Sequence, residues 1–90
     1  MLIPITTKQF KKDVKKAKKQ GKEIGKLKKV MKCLISEIPL PPKNRDHKLS
    51  GNYYHHRECH ILPDWLLIYK ATKIEIIFER TGSHSELLKK

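Results

Sequence analysis

Cysteine, long apolar runs and acidic residues are all scarce in this sequence. The two cysteines, Cys33 and Cys59, are too few for the disulfide scaffold of many small secreted proteins, and they fit a reducing cytosol. No apolar run approaches the roughly 20 residues that a membrane-spanning helix needs. Residues 1–5 are too short for the apolar core of a secretion signal. The sequence therefore predicts a soluble, cytoplasmic protein with no membrane association.

The shortage of acidic residues leaves a large excess of positive charge. The chain has 21 Lys and Arg against 9 Asp and Glu, a formal net charge of +12 in 90 residues. This excess predicts a polyanionic partner: nucleic acid, a membrane surface or an acidic protein. Nucleic acid is favoured, although a lysine-rich surface can also be merely solvated. The length predicts a single domain, residues 1–90, with one layer of helices against one sheet.

Two helical periodicities predict a basic helical hairpin in the first half of the chain. Thr6 is predicted to be the N-cap of the first helix, with Gln9 completing a capping box, and Gly21 is predicted to end this helix. The second helix is predicted over residues 22–37, where a wider apolar face indicates deeper burial. Pro39 then stops it.

Strand patterns dominate the second half. Residues 2–5 are predicted to form a short edge strand, and residues 53–60, 65–70 and 74–80 three further strands. A capping box at residues 83–86 predicts a short terminal helix that includes Leu88. The predicted order is β-α-α-β-β-β-α. This is an α+β fold in which the helical hairpin packs on a mostly antiparallel four-stranded sheet.

All the histidines lie in the second half of the chain. They are His47, His55, His56, His60 and His84. Histidine titrates at a pH of about 6.5, so it both takes and gives protons near neutrality. A sheet that gathers several histidines beside arginines indicates proton transfer near a phosphate.

Not every histidine can join one site. On the predicted strand, His55 and His56 point to opposite faces, so at most one of them contributes. A zinc site combining either with Cys59 and His60 lacks paired Cys-x-x-Cys spacing. The sequence therefore predicts no metal and no other cofactor.

The order and spacing of four motifs are more specific than any single histidine. These motifs are DHKLSG at 46–51, RECH at 57–60, PDWLLIY at 63–69 and FERTGSH at 78–84. In this order the chain resembles the YafQ branch of the RelE/ParE superfamily, bacterial toxins of type II toxin–antitoxin systems. The resemblance implies a RelE-like fold, similar to small microbial ribonucleases, and metal-independent cleavage of mRNA, usually in the ribosomal A site. It also implies a cognate antitoxin that silences the toxin through a small acidic segment.

Cleaving RNA without a metal requires a base for the 2′-hydroxyl, an acid for the departing 5′-oxygen and cations for the growing charge. The resemblance assigns His84 to catalysis, most simply as general acid. His60 and Asp64, which flank a predicted turn, are the main candidates for the base, and His47 shares that role or contacts the phosphate. Asp64 alternatively only forms the turn. The residues leave the identity of the base open.

Cations and one acidic residue complete the predicted site. Arg80 is the first candidate for phosphate binding because its planar fork matches phosphate, followed by Arg57 and Lys48. Glu58 departs from the family pattern, which has Asp at this place. It is predicted to support His60 by orienting it.

The sequence thus predicts an endoribonuclease toxin, an mRNA interferase that leaves a 2′,3′-cyclic phosphate or its 3′-phosphate hydrolysis product. Two alternatives stay open: a non-catalytic, ParE-like toxin that binds gyrase, and a plain basic RNA-binding module. Tyr53 or Tyr54 either stacks on a base or packs in the protein. The lysine-rich hairpin either holds RNA phosphates, receives an acidic antitoxin segment or is solvated.

Overall fold

Three helices and a mixed five-stranded sheet make up the fold. The computed structural model describes residues 1–53 and 55–87, apart from the side chain of Asn52. Tyr54 and Leu88, for which the sequence makes predictions, lie outside the described residues. The elements are β1 (Ile3–Thr6), α1 (Lys8–Lys19), α2 (Ile24–Ile35), β2 (His47–Lys48), β3 (Arg57–Leu62), β4 (Trp65–Ala71), β5 (Glu75–Gly82) and α3 (His84–Leu87). Two short 3-10 turns, Pro42–Asn44 and Gly51–Tyr53, flank β2.

The sheet order is β1-β5-β4-β3-β2, with β1 parallel to β5 and the other pairs antiparallel. The predicted α+β fold is confirmed, and β2 is an additional edge strand. β2 has only two residues, too few to form a periodic pattern, so it could not be predicted from the sequence. The strand predicted over residues 53–60 was wrong in its first half. Tyr53 lies in a 3-10 turn, and His55 has a left-handed backbone (φ 76°), so β3 begins only at Arg57.

Both helices of the hairpin are shorter than predicted. Thr7, not Thr6, is the N-cap of α1: the Thr7 Oγ1 accepts a hydrogen bond from the Phe10 backbone N–H at 2.9 Å. Thr6 instead pairs with Phe78 as the last residue of β1. A left-handed Gly21 (φ 78°) follows the α1 C-cap, as the prediction of a stop there required. α2 is also narrower than the predicted 22–37.

Strand alternation divides the apolar residues between two faces of the sheet. Trp65, Leu67 and Tyr69 of β4 join the core against α1 and α2. Leu66 and Ile68 point to the opposite face, where Leu87 of α3 packs against them. Burying a large apolar side chain stabilises the fold by about 1.5–3 kcal/mol. We call the second face, away from α1 and α2, the open face.

Both cysteines are free thiols, as predicted. Cys59 is fully buried in the core on the helix side, and Cys33 is half-buried on α2. Within residues 1–53 and 55–87, no helix has the length and apolar character needed to cross a membrane.

Candidate active site

The open face gathers the predicted catalytic residues at one end of the sheet. Glu58 and His60 alternate with core residues on β3 and stand opposite Ile68 and Leu66, which belong to this face. His47 of β2 pairs with Glu58 and therefore points the same way. The turn between β3 and β4 supplies Asp64, and α3 starts at His84.

The imidazole rings of His47, His60 and His84 form a short row, with His60 in the middle. The ring centroids of His47 and His60 are 6.3 Å apart, and those of His60 and His84 are 5.6 Å apart. Asp64 contacts His84 directly. The structure therefore brings together all four residues that the sequence singled out for catalysis.

Asp64 fixes the orientation of His84. The Asp64 Oδ1 accepts one hydrogen bond from the His84 backbone N–H at 3.0 Å and lies 2.8 Å from the His84 Nδ1. These hydrogen bonds, followed by the charge of Lys22, lower the pKa of Asp64. Asp64 is thus an ionised acceptor near neutral pH, and it assigns the Nδ1 proton to the shared bond. The His84 Nε2 is left to face a substrate.

A capping box holds the start of α3, as predicted. The Ser83 N–H donates to the Glu86 Oε1 at 2.8 Å, and the Glu86 N–H donates to the Ser83 Oγ at 3.2 Å. The Lys16 Nζ lies 2.7 Å from the Glu86 Oε2. The bond from Lys16 and that from the Ser83 N–H lower the pKa of Glu86 to about 2. The helix that carries His84 is thereby tied to α1.

A side chain at Gly82 would crowd α3. An added Cβ would lie 3.0 Å from the Glu86 Oε1 and 3.2 Å from the Leu87 Cδ2. Because Gly82 has no Cβ, α3 packs closely on the end of β5. The position of His84 depends on that close approach.

Glu58 lies beneath His47 and His60. Its side chain is only 4% exposed, and its Oε1 is 3.6 Å from the His47 Nε2 and 3.4 Å from the His60 Nε2. The Oε2 is buried and has no hydrogen-bond partner among the described residues. Burying a carboxylate is costly unless it is paired, and here the two imidazoles supply the pairing. Glu58 therefore belongs to the cluster more closely than the sequence suggested.

Backbone carbonyls set the orientation of these two imidazoles. The His47 Nδ1 is 2.6 Å from the Arg45 carbonyl oxygen, and the His60 Nδ1 is 3.2 Å from that of Pro63. A carbonyl only accepts, so each Nδ1 carries the hydrogen. Both rings consequently direct Nε2 toward Glu58.

The structure does not bring the predicted phosphate-binding residues to the cluster. Arg57 pairs with Tyr69 and Lys48 pairs with Arg57, so both point to the opposite face. The Arg57 Nε donates to the Asp46 Oδ1 at 3.1 Å. This register corrects the prediction that Arg57 and Lys48 lie in the site, because Arg57 alternates with Glu58 along β3 and so faces the other side of the sheet.

Arg80 starts on the open face, in one row with Glu58 through Ile68. Its guanidinium nevertheless reaches the edge of β5 and donates to both carboxylate oxygens of Asp13, at 2.8 and 3.2 Å. Asp13 also accepts from the Thr81 N–H at 3.2 Å. These bonds raise the pKa of Arg80 and hold its charge at Asp13. The arrangement stabilises the fold, and its use for phosphate stays a prediction.

Lys22 is a cation near the site that sequence reasoning missed. Its charge helps to lower the pKa of Asp64, and its Nζ is 6.0 Å from the Trp65 ring centroid. The sequence contains 21 Lys and Arg, and nothing in the local pattern distinguishes this one. Only the packing of the segment between α1 and α2 reveals its position.

His56 and Tyr53 contact each other and neighbouring residues of the sheet. The His56 Nε2 is 3.0 Å from the Glu79 Oε2, and its ring meets Tyr53 edge-on with centroids 5.6 Å apart. Tyr53 packs against the cluster of Leu66 and Ile68. His55 and His56 precede β3, so the prediction that they alternate on a strand was wrong.

A metal ion is compatible with part of the cluster. One donor atom from each of Glu58, His60 and His84 lies within 4.8 Å of the other two. Their Nδ1 contacts with oxygen atoms resemble the outer contacts of metal-bound histidines. Cys59 faces the core and lies on the side of the sheet away from His60, so the zinc set considered from the sequence does not form.

Comparison with known proteins identifies the family. A sequence profile described as "Bacterial toxin of type II toxin-antitoxin system, YafQ" matches residues 3–89. The chain belongs to the YafQ family. It is therefore a toxin of the type II toxin–antitoxin class, as its motifs indicated.

Individual YafQ relatives agree with this assignment. The Escherichia coli K12 protein named mRNA interferase toxin YafQ is 48% identical over 80 residues, 88% of this chain and 87% of the relative. A chain of the E. coli DinJ–YafQ toxin–antitoxin complex matches with a TM-score of 0.90 and 44% identity, covering 96% of each chain. A metal-bound toxin from Helicobacter pylori matches with a TM-score of 0.91 and 45% identity, covering 97% of this chain and 99% of that one. These matches confirm the RelE-like fold.

Proposed function

We propose that this YafQ-family toxin cleaves mRNA by attack of a 2′-hydroxyl on the adjacent phosphorus, with imidazoles carrying both proton transfers. Endoribonuclease activity of the mRNA interferase kind follows from its close relatives, which bear that name. The observation that supports the mechanism is the row of His47, His60 and His84 on one exposed face. The 2′-hydroxyl as nucleophile explains why RNA rather than DNA is cut.

His84 is the general acid in this proposal. Its side chain is half exposed, and Asp64 holds its Nδ1, so Nε2 can deliver a proton to the 5′-oxygen that leaves. The Asp64 Oδ1 contacts both the backbone N–H and the Nδ1 of His84. We therefore assign Asp64 a positioning role and the base role to another group.

His47 is the general base. Its side chain is 50% exposed, whereas that of His60 is only 10% exposed. A phosphate seated above His60 lies between His47 on one side and His84 on the other, the arrangement that in-line displacement requires. His60 in its doubly protonated form then donates its Nε2 hydrogen to a non-bridging oxygen, and the buried charge of Glu58 favours the transition state in which His47 has gained a proton.

The partners follow from charge and from the relatives. The E. coli relative is crystallised with DinJ, so we expect a cognate antitoxin whose acidic segment neutralises part of the +12 charge. The same charge suits ribosomal RNA, which would present the mRNA. The site of action is accordingly the cytoplasm.

A substrate with sulfur in place of the 5′-bridging oxygen tests the acid and base roles. Thiolate leaves without a proton, so this substrate should restore cleavage by His84→Ala but not by His47→Ala. Both variants should cut the ordinary RNA 10²–10⁴-fold more slowly, a loss of about 3–5 kcal/mol in transition-state stabilisation. Rescue of His47→Ala alone would reverse the two assignments. Inhibition of gyrase by a toxin that leaves RNA intact would instead establish the ParE-like alternative.

A second candidate property is reversible metal inhibition. We propose that Cu²⁺ or Zn²⁺ binds Glu58, His60 and His84 and so occupies the imidazole nitrogens that must carry protons during cleavage. Calorimetric titration with Cu²⁺ should show one site, which His84→Ala weakens, and a chelator should restore cleavage. Metal that binds without slowing cleavage would contradict this proposal.

A further inference from the structure

A groove of about 720 Å³ lies at the edge of β3, between α2 and residues 41–45. Val30, Cys33 and Ile61 contribute apolar surface to its lining. Its charged lining residues are all cations: Lys26, Lys29, Lys43 and Arg45. Among the described residues that line it there is no carboxylate, so the groove suits an anion with an apolar part.

The groove shares His60 with the candidate active site. His60 and Pro63 line it, and the Pro63 carbonyl oxygen is the one that faces the His60 Nδ1. The Asn44 Nδ2 donates to the His60 carbonyl oxygen at 2.7 Å, which fixes the groove wall to β3. A ligand that contacts both the groove and the candidate active site would therefore bind two surfaces that this hydrogen bond holds together.

Arg45 links the groove to the proposed base. Its backbone is left-handed (φ 46°), a conformation that is unfavourable for a residue other than glycine. In that conformation its carbonyl oxygen lies 2.6 Å from the His47 Nδ1, and Arg45 also lines the groove. One strained residue thus serves both sites.

We infer that this groove binds the nucleoside on the 5′ side of the scissile phosphate, a subsite that rests on the proposed function. The 5′ side follows because the groove adjoins His60 and Arg45, near the proposed base, and the residues that line it do not include His84 or Asp64. The nucleobase of that nucleoside lies on the apolar surface of the groove, and the phosphate on its 5′ side contacts the lysines. RNA is favoured over a protein segment because the groove shares His60 with the candidate active site and its charged lining residues are cations.

Cys33 provides a direct reporter of occupancy. It lines the groove, whereas Cys59 is fully buried and burial raises the pKa of its thiol to about 12. Thiolate is the reactive form, so iodoacetamide should label Cys33 alone. We expect a nucleoside 3′-monophosphate to slow this labelling severalfold. Ribose 3-phosphate, which lacks the base, should leave the rate unchanged while still inhibiting cleavage.

Variants of the rim give an independent measurement. Lys43→Gln should raise KM for RNA by roughly three- to tenfold, the loss of one phosphate contact, with kcat unchanged. Lys73→Gln removes the same charge from the exposed turn between β4 and β5 and should behave as wild type. Toxin whose Cys33 carries a bulky maleimide adduct should likewise bind RNA with lower affinity.

Three results would overturn this subsite, and they differ in what else they remove. If RNA is cleaved while Cys33 is not protected and Lys43→Gln behaves as Lys73→Gln, the subsite is wrong but the proposed function stands. If an acidic peptide protects Cys33 and nucleotides do not, the groove belongs to a protein partner. If the wild-type toxin cleaves no RNA and binds no nucleotide, both proposals fail.

Discussion

Asp64 and His84 are joined twice, because a single carboxylate oxygen accepts the backbone N–H of His84 and faces its Nδ1. The two residues lie 20 positions apart, on a strand turn and at a helix start. The double contact leaves the imidazole little freedom to rotate. This geometry gives Asp64 a positioning role that can be separated from catalysis.

Asp64→Asn should lower kcat by about 10- to 100-fold, less than the 10²–10⁴-fold loss expected for a missing general acid. The amide keeps an acceptor oxygen but loses the charge that stabilises the imidazole. KM should remain unchanged. NMR of ¹⁵N-labelled histidine should show the His84 Nδ1 proton weakened or moved to Nε2. An unchanged tautomer together with a large loss of kcat would contradict the positioning role.

Glu58→Gln should reduce kcat by roughly tenfold or more, because the negative charge beneath His47 and His60 is removed. The fold should be retained or gain about 1 kcal/mol in the free energy of unfolding, since a buried charge is replaced by a neutral group of similar shape. Glu58→Asp is the control, because it keeps the charge and should retain most of the activity. Thermal unfolding and single-turnover cleavage measure the two effects. If Glu58→Gln loses stability and activity together, Glu58 has only a structural role.

Acid should weaken the attachment of α3 through Glu86. Its pKa falls from 4.5 to about 2 on folding, so its contribution to stability is full above pH 4.5 and disappears as the pH falls toward 2. Glu86→Gln should therefore lower Tm at pH 6 but not at pH 2. Wild type and variant should converge as the pH falls. A Tm difference that persists at pH 2 would mean that packing, not the ionised carboxylate, is what the variant loses.

Gly82→Ala should displace α3, since the new methyl would lie 3.0 Å from the Glu86 Oε1. We expect a loss of about 1–3 kcal/mol in the free energy of unfolding and a lower kcat as His84 shifts. Gly25→Ala is the matched control, because no atom lies within 4 Å of an added Cβ there. That substitution should stabilise α2 by about 0.5 kcal/mol and leave cleavage unchanged. Equal effects of the two substitutions would show that the contact at Gly82 relaxes easily.

The sequence predicted which four residues come together better than it predicted the element boundaries or the place of the cations. His47, His60, Asp64 and His84 come together as expected, because turns and strand ends carry them to one rim. The errors came from local signals that tertiary contacts override. Thr6 has the chemistry of an N-cap but is taken by pairing with β5, so Thr7 replaces it.

Periodicity, capping residues and spaced motifs determined on their own the family, the candidate residues, and the order of the helices and of all strands except β2. Periodicity and capping residues reflect local backbone preferences, which can be read directly from the sequence. Only the tertiary structure decided which side chains face the site. The pairing register decides which residues of a strand face each side of the sheet. Glu58 therefore lies under the imidazoles, while its neighbour Arg57 points the other way. The groove beside His60 likewise arises from the packing of α2 against β3, which no local pattern records.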